Sequence, residues 1–279
     1  MNQIQGDIVD ASAPIANSTP TVRVKIENLC KDFRTSKGVT NAVQNVSLDI
    51  QRGEFVTLVG RSGCGKTTLL RMIGGLLAPT SGTVHVDGKE LWRNGRVDSA
   101  AIARLGFVFQ DSNLLPWFTV IDNIALPLKL RGVSKAERRE RATTLAGLVG
   151  LAGFEHSYPR QLSGGMRQRV AIARALSTEP DLLLMDEPFG ALDALTRERM
   201  NLELQRIVGE TESTVVFVTH DIPEAVFLGD RIVHMTPRPG RVHQTVSVDI
   251  PKPREVIVQT GQEFNEIVRD LRTALDQDG

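Results

Sequence analysis

Apolar positions follow three rhythms along this chain. Between residues 22 and 50 they alternate, at Val22, Val24 and Ile26 and again at Val46, Leu48 and Ile50, which predicts strands with one buried face. Residues 83–86 and 105–109 are further strand candidates. Three compact runs, Phe55–Val59, 182–185 and 215–218, have no polar face and give way at once to glycine or polar residues. Such runs predict strands buried on both sides of a parallel sheet. Ligands of these sheets bind beyond the carboxyl ends of the strands. Here those ends carry G-R-S-G-C-G-K-T-T, Asp186-Glu187 and Thr219-His220.

The third rhythm is helical. Val120–Leu130 and residues 134–148 predict two helices, the second carrying Glu137, Arg138, Arg139, Glu140 and Arg141, a solvated face. They form a helical lobe, about residues 111–165, inserted between sheet strands. After Pro237-Arg238-Pro239-Gly240 come a strand-like stretch, 242–250, and a helix with Phe264, Ile267, Val268, Leu271 and Leu275 on one stripe. Residues 1–20, polar and rich in small side chains, predict a disordered tail. There is no internal repeat. The expected organisation is therefore a tail, a main domain over 22–240, and a short strand-helix extension over 241–279.

Composition narrows the partners. The 279 residues are 41% hydrophobic, an ordinary globular value. Lysine plus arginine and aspartate plus glutamate each number 33, so there is no electrostatic case for nucleic acid as a partner. Of the two cysteines, Cys64 lies within the glycine-rich loop, where a bridge to Cys30 would obstruct a ligand, and both are expected to be free thiols. No apolar run is long enough to span a bilayer, and the first residues lack the basic and apolar regions of a signal peptide. Any membrane role is expected to come through a partner.

The loop Gly60-Arg61-Ser62-Gly63-Cys64-Gly65-Lys66-Thr67, followed by Thr68, fits G-x-x-x-x-G-K-[ST] between a strand and a helix. Its glycines let backbone N–H groups turn inward around phosphate oxygens, at the positive end of the next helix. Lys66 is placed for the β- and γ-phosphates and Thr67 for Mg2+. Of the strand-end acids Asp186 and Glu187, one suits Mg2+ and the other a base that orients the attacking water. His220 ends another strand, and Gln110 ends a fourth with an amide oxygen that suits the same metal. A second helix start, Leu162-Ser163-Gly164-Gly165-Met166, offers a serine cap and two glycines, a further anion cradle. One ATP cannot easily use both cradles, so the second is expected to serve the ATP of another subunit.

In this order, residues 60–67, Gln110, 162–168, 184–187, 190–193 and His220 resemble the ATP-binding subunit of ABC transporters, over about residues 22–240. The resemblance implies an α/β P-loop NTPase fold with a mixed or parallel core sheet, an antiparallel β subdomain and an inserted helical subdomain. It further implies two cassettes head to tail around two ATPs, with Leu162, Ser163, Gly164, Gly165, Met166 and Asp193 of one contacting the nucleotide of the other. Glu187 becomes the general base and His220 the holder of the γ-phosphate, with Mg2+ at Thr67, Gln110 and Asp186. Phe33 matches the position that stacks on adenine, where the family usually has tyrosine. Gly190-Ala191-Leu192 departs from the commoner Ser-Ala-Leu.

One cassette without a membrane span resembles importer subunits that dock on separate permeases, fed by a periplasmic solute-binding protein. The phrases around 188–197 and 235–241, and the short tail, are similar to those of the nitrate, sulfonate and taurine group. An aliphatic sulfonate or taurine is the leading expectation, with nitrate, bicarbonate and a thiamine precursor as close alternatives, at the cytoplasmic face of a bacterial inner membrane. Leu114-Leu115-Pro116-Trp117 falls where such importers receive the permease, though Trp117 suits a core equally. A soluble ATPase acting on a non-transport partner is the alternative. A phosphotransferase leaves residues 162–168 and His220 unexplained.

Overall fold

The long alternating segments become an antiparallel layer. The computed structural model describes residues 22–36 and 38–277, so the expected tail at 1–20 lies outside the described residues. Strand β1 (Val22–Thr35) pairs with β2 (Gly38–Gln51) on one side and β4 (Ser81–Val86) on the other. Between β2 and β4 the chain forms β3 (Phe55–Val59) and α1 (Lys66–Ile73). Short pieces follow: β5 (Lys89–Glu90), which extends the antiparallel sheet, and the small hairpin β6 (Trp92–Arg93) and β7 (Arg96–Val97).

The rest builds the core sheet and its helices in turn: β8 (Leu105–Val108), α2 (Val120–Leu130), α3 (Lys135–Leu148), α4 (Gly164–Leu176), β9 (Leu182–Asp186), α5 (Ala194–Thr211), β10 (Thr214–Val218), α6 (Ile222–Leu228), β11 (Arg231–Thr236), β12 (Arg241–Ser247) and α7 (Gln262–Gln277). The second sheet runs β12-β11-β3-β10-β9-β8. All its neighbours are parallel except β12, which turns back on β11. The expected strand over 242–250 therefore stops at Ser247. Beyond it Pro251 and Pro253 lack the N–H that a ladder needs.

The three apolar runs are buried on both faces because two cores meet there. Val215 and Phe217 of β10 face one cluster with α2, α4 and α5, whereas Val216 and Val218 face the other with α1 and the antiparallel sheet. Leu183 and Met185 against Leu182 and Leu184 divide in the same way. The order β3-β10-β9-β8 has the functional consequence: residues 60, 219, 187 and 110 leave four adjacent strands at one edge.

The C-terminal extension is held by one buried side chain. Arg254 is 1% exposed, and its guanidinium donates to the carbonyls of Val226, Phe227 and Gly229 at the end of α6 and of Val248 and Ile250 after β12. Those α6 carbonyls lie at the negative end of the helix, which suits a cation. Gln205 of α5 clasps the Arg254 backbone through both its amide atoms. Burial lowers the Arg254 pKa, opposed by the charge of Asp230.

Candidate functional site

The loop after β3 is bent by its glycines into a cup. Gly65 has φ +93°, and a Cβ there would sit 2.6 Å from the Ala42 carbonyl, so only glycine closes the turn. Gly65 is also the N-cap of α1 and supplies no side-chain cap, so no side chain competes for the first N–H groups of that helix. Lys66 is buried and its ammonium donates to the Gly60 and Arg61 carbonyls at 2.7 and 3.2 Å, folding the charge into the loop. The cavity above has about 370 Å3 and is lined by Ala42, residues 62–68, Gln110, Glu187 and His220.

Thr67 at the start of α1 donates its hydroxyl to Asp186 Oδ1 at 2.9 Å. Asp186 is the last residue of β9 and 1% exposed. Burial raises its pKa, against the Thr67 hydrogen bond and the charge of Arg71. Glu187 follows in the left-handed region at φ +44°, a conformation of a non-glycine residue that costs about 1–3 kcal/mol and tends to mark functional sites. Its backbone N–H is tied to the Val218 carbonyl of the neighbouring strand at 3.0 Å. That turn aims the carboxylate at His220, whose Nδ1 lies 3.1 Å from Glu187 Oε2. With the proton on Nδ1 the ring donates to the carboxylate and presents Nε2 to the cavity.

The remaining expected residues lie elsewhere. Phe33 is exposed on β1 with the Lys31 ammonium 5.4 Å from its ring centroid, and it does not line the cavity. Residues 162–166 are also outside the cavity. Ser163 caps α4, its hydroxyl accepting from the Met166 N–H at 3.2 Å, and Ser163 and Gly164 face outward. Leu162 is buried in the chain's own core, and Met166 is partly buried against it. Asp193 caps α5 through Thr196, and these hydrogen bonds lower its pKa.

Several supporting residues escape sequence reasoning. Gly240 lodges against the loop so closely that a Cβ would meet the Cys64 carbonyl at 2.1 Å. Gln168 of α4 donates to the Phe109 carbonyl at 2.9 Å, and Arg174 donates to the carbonyls of Ser112 and Asn113. Thus α4 grips the segment around Gln110 that leads into the helical lobe. Buried Asn123 donates to the carbonyls of Leu115, Phe118 and Thr119 and accepts from the Leu115 N–H. This clamp holds out Trp117, which is 67% exposed. A larger cavity of about 980 Å3 lies at the opposite ends of the strands. Some of its charged groups pair with one another, as in Arg104–Asp181 and Lys252–Asp230, and it contains none of the expected site residues.

Comparison with known proteins agrees with this geometry. Residues 43–190 match the family model described as ABC transporter. The chain is 49% identical to a taurine import ATP-binding protein of Rhizobium johnstonii, over 90% of this chain and 96% of that one. It is 44% identical to a nitrate import ATP-binding protein of Synechocystis, over 84% and 85%, and 39% identical to an aliphatic sulfonates import ATP-binding protein of Bacillus cereus, over 92% and 97%. Among solved structures it is similar to a dimeric ATP-binding cassette bound to ADP and Pi in a post-hydrolysis state. That match has a TM-score of 0.74 and 38% identity, over 82% of this chain and all of that one.

Proposed function

The chain belongs to the ABC transporter family, and from that premise we propose that it is the ATP-hydrolysing subunit of an importer, driving a small solute through a separate permease. The observation that carries this is the meeting of Lys66, Thr67–Asp186, Gln110 and Glu187–His220 around one cavity. The N–H groups of residues 62–68 and the Lys66 ammonium receive phosphate oxygens. Glu187 takes the proton of the attacking water, and His220, as the imidazolium with Nδ1 held by the same carboxylate, donates from Nε2 toward the γ-phosphate.

The residues also fit Mg2+. The Thr67 hydroxyl, the Asp186 carboxylate and the Gln110 amide are hard oxygen donors, and one carboxylate beside phosphate oxygens is the usual provision for this ion. When bound, the ion neutralises charge that develops on the phosphates.

Ser163, the glycines after it and Asp193 serve the ATP of a second, facing copy. Ser163 and Gly164 are exposed, and Leu162 contributes through its backbone. Phe33 stacks on adenine from the rim. Trp117 and the loop under it receive the permease, because the Asn123 clamp spends four hydrogen bonds on keeping that aromatic outside. No helix among the described residues is long and apolar enough to cross a membrane. Attachment to the permease therefore places the subunit at the cytoplasmic face of a bacterial inner membrane, with a periplasmic solute-binding protein acting beyond it. The solute is an aliphatic sulfonate, taurine or nitrate, with aliphatic sulfonate favoured.

The test is ATP turnover by the chain reconstituted with its permease, with each candidate solute and its binding protein. One solute is expected to stimulate turnover. Glu187→Gln is expected to lower turnover by about 10²–10³-fold while ATP still binds. Wild-type turnover in that variant would remove Glu187 from the role of base.

A further inference from the structure

Behind the Glu187–His220 pair lies a set of polar side chains that the roles above leave unused. Thr219, between β10 and His220, donates its hydroxyl to Glu224 Oε2 at 2.5 Å and accepts from the Asp221 N–H at 3.0 Å. The Glu224 N–H donates to Asp221 Oδ1 at 3.1 Å, capping α6. The other Asp221 oxygen pairs with Arg197 Nη1 of α5 at 3.1 Å, and Arg197 Nη2 donates to the Leu192 carbonyl, one residue before Asp193. Thr219 and Glu224 are both buried, and Glu224 Oε1 makes no hydrogen bond among the described residues.

We propose that Glu224 is a positioning residue for His220: it grips Thr219 from inside the fold and so fixes the backbone from which the histidine reaches Glu187. The inference rests on the functional reading of His220 given above. The rest of the set carries the grip outward, since Asp221 and Arg197 tie the same loop to the turn before α5. A second copy that displaces Asp193 would therefore act on His220 through side chains rather than through the nucleotide.

The grip depends on protonation. Burial raises the Glu224 carboxyl from its ordinary value to about 7, with a further push from Asp221, against the Thr219 hydrogen bond and the charges of Arg197 and His220. The apolar residues that β3 and α7 contribute to the core around α6 are uncharged among the described residues. β3 presents only Phe55–Val59, and α7 presents Phe264, Val268 and Leu271. Arg254 binds the far end of the helix. Below the raised value the neutral carboxyl accepts from Thr219 at no charge penalty. Above it a buried anion stands beside Asp221, and the loop loosens to admit water.

The experiment uses the full chain with 13C-labelled glutamate carboxyls. The Glu224 resonance is expected to titrate with a midpoint of about 7, and Thr219→Val, which removes the lowering hydrogen bond, to move that midpoint upward. A midpoint in the ordinary carboxylate range, or one unmoved by Thr219→Val, overturns the proposal. In ATP turnover, Glu224→Ala is expected to lower kcat by about tenfold or more with ATP affinity changed less than about twofold, and Glu224→Gln to recover most of the loss. The ratio of wild-type to Glu224→Gln turnover should fall by about threefold between pH 6 and pH 8. A flat ratio, or equal losses in kcat and affinity, overturns it. His220→Ala run alongside separates the two readings. Wild-type turnover there removes the histidine from catalysis, whereas the carboxyl titration bears on Glu224 alone.

Discussion

Two helix starts in this chain have the chemistry of an anion cradle, and they are finished to different degrees. At α1 the cap is a left-handed glycine with no side chain to satisfy the first N–H groups, and the chain itself encloses the space with Ala42, Gln110, Glu187 and His220. At α4 the cap is Ser163, which already accepts from the Met166 N–H, and Ser163 and Gly164 stay exposed among the described residues. Leu192 lies beside Gly165, close enough that a Cβ there would lie 3.0 Å from its side chain. The first start is a site in its own right. The second is an open surface, set beside the turn that leads through Asp193 and Arg197 toward His220.

That contrast can be broken by substitution. Ser163→Arg should have the largest effect, lowering turnover by at least about 100-fold by filling the outer surface, while ATP affinity of the single chain changes less than about threefold. Equal loss of binding and turnover, read by titration calorimetry beside an ATPase assay, would make the two starts one site. Gly240→Ala attacks the first start from behind. The added methyl meets the Cys64 carbonyl, so the loop must move, at about 1–3 kcal/mol of stability, and ATP affinity should fall by about tenfold. Thermal unfolding with and without ATP reads both. Unchanged affinity would show that the cup does not depend on its support. Ser163→Ala should do least, removing one cap worth about 1 kcal/mol. Amide exchange at Met166 should rise while the Lys66 region stays as protected as before.

Much of the first start was legible in residue order, and much of its surroundings was not. The motif 60–67 is contiguous, and its turn is dictated by glycines whose conformations are local. The acids and the histidine could be assigned to strand ends because the apolar runs before them are unbroken. Phe33 and residues 162–166 could be named by resemblance, yet the inward side chain of Leu162 could not, because hydrophobic and surface leucines look alike in a row of letters. Asn123 and Glu224 had no signal strong enough to single them out, and Gly240 stood in a family-like phrase that did not reveal what it packs against. Gly240 gains its meaning from the distant Cys64 carbonyl that packing brings to it, Asn123 from carbonyls of the loop just before α2, and Glu224 reads as one more acid in an α6 turn until its burial is known.

The sequence by itself determined the chemistry: a phosphate cup, two acids, a histidine and a capped helix, each encoded by side chains and backbone preferences acting over a few residues. Only the tertiary structure decided their company. The Thr67–Asp186 hydrogen bond spans 119 residues of chain and the Glu187–His220 contact spans 33. Both exist because β3, β10 and β9 lie side by side in an order set by burial of apolar faces across the sheet. Local interactions can be read locally. Strand order is a property of the whole core, and it alone turned separate strand ends into one site.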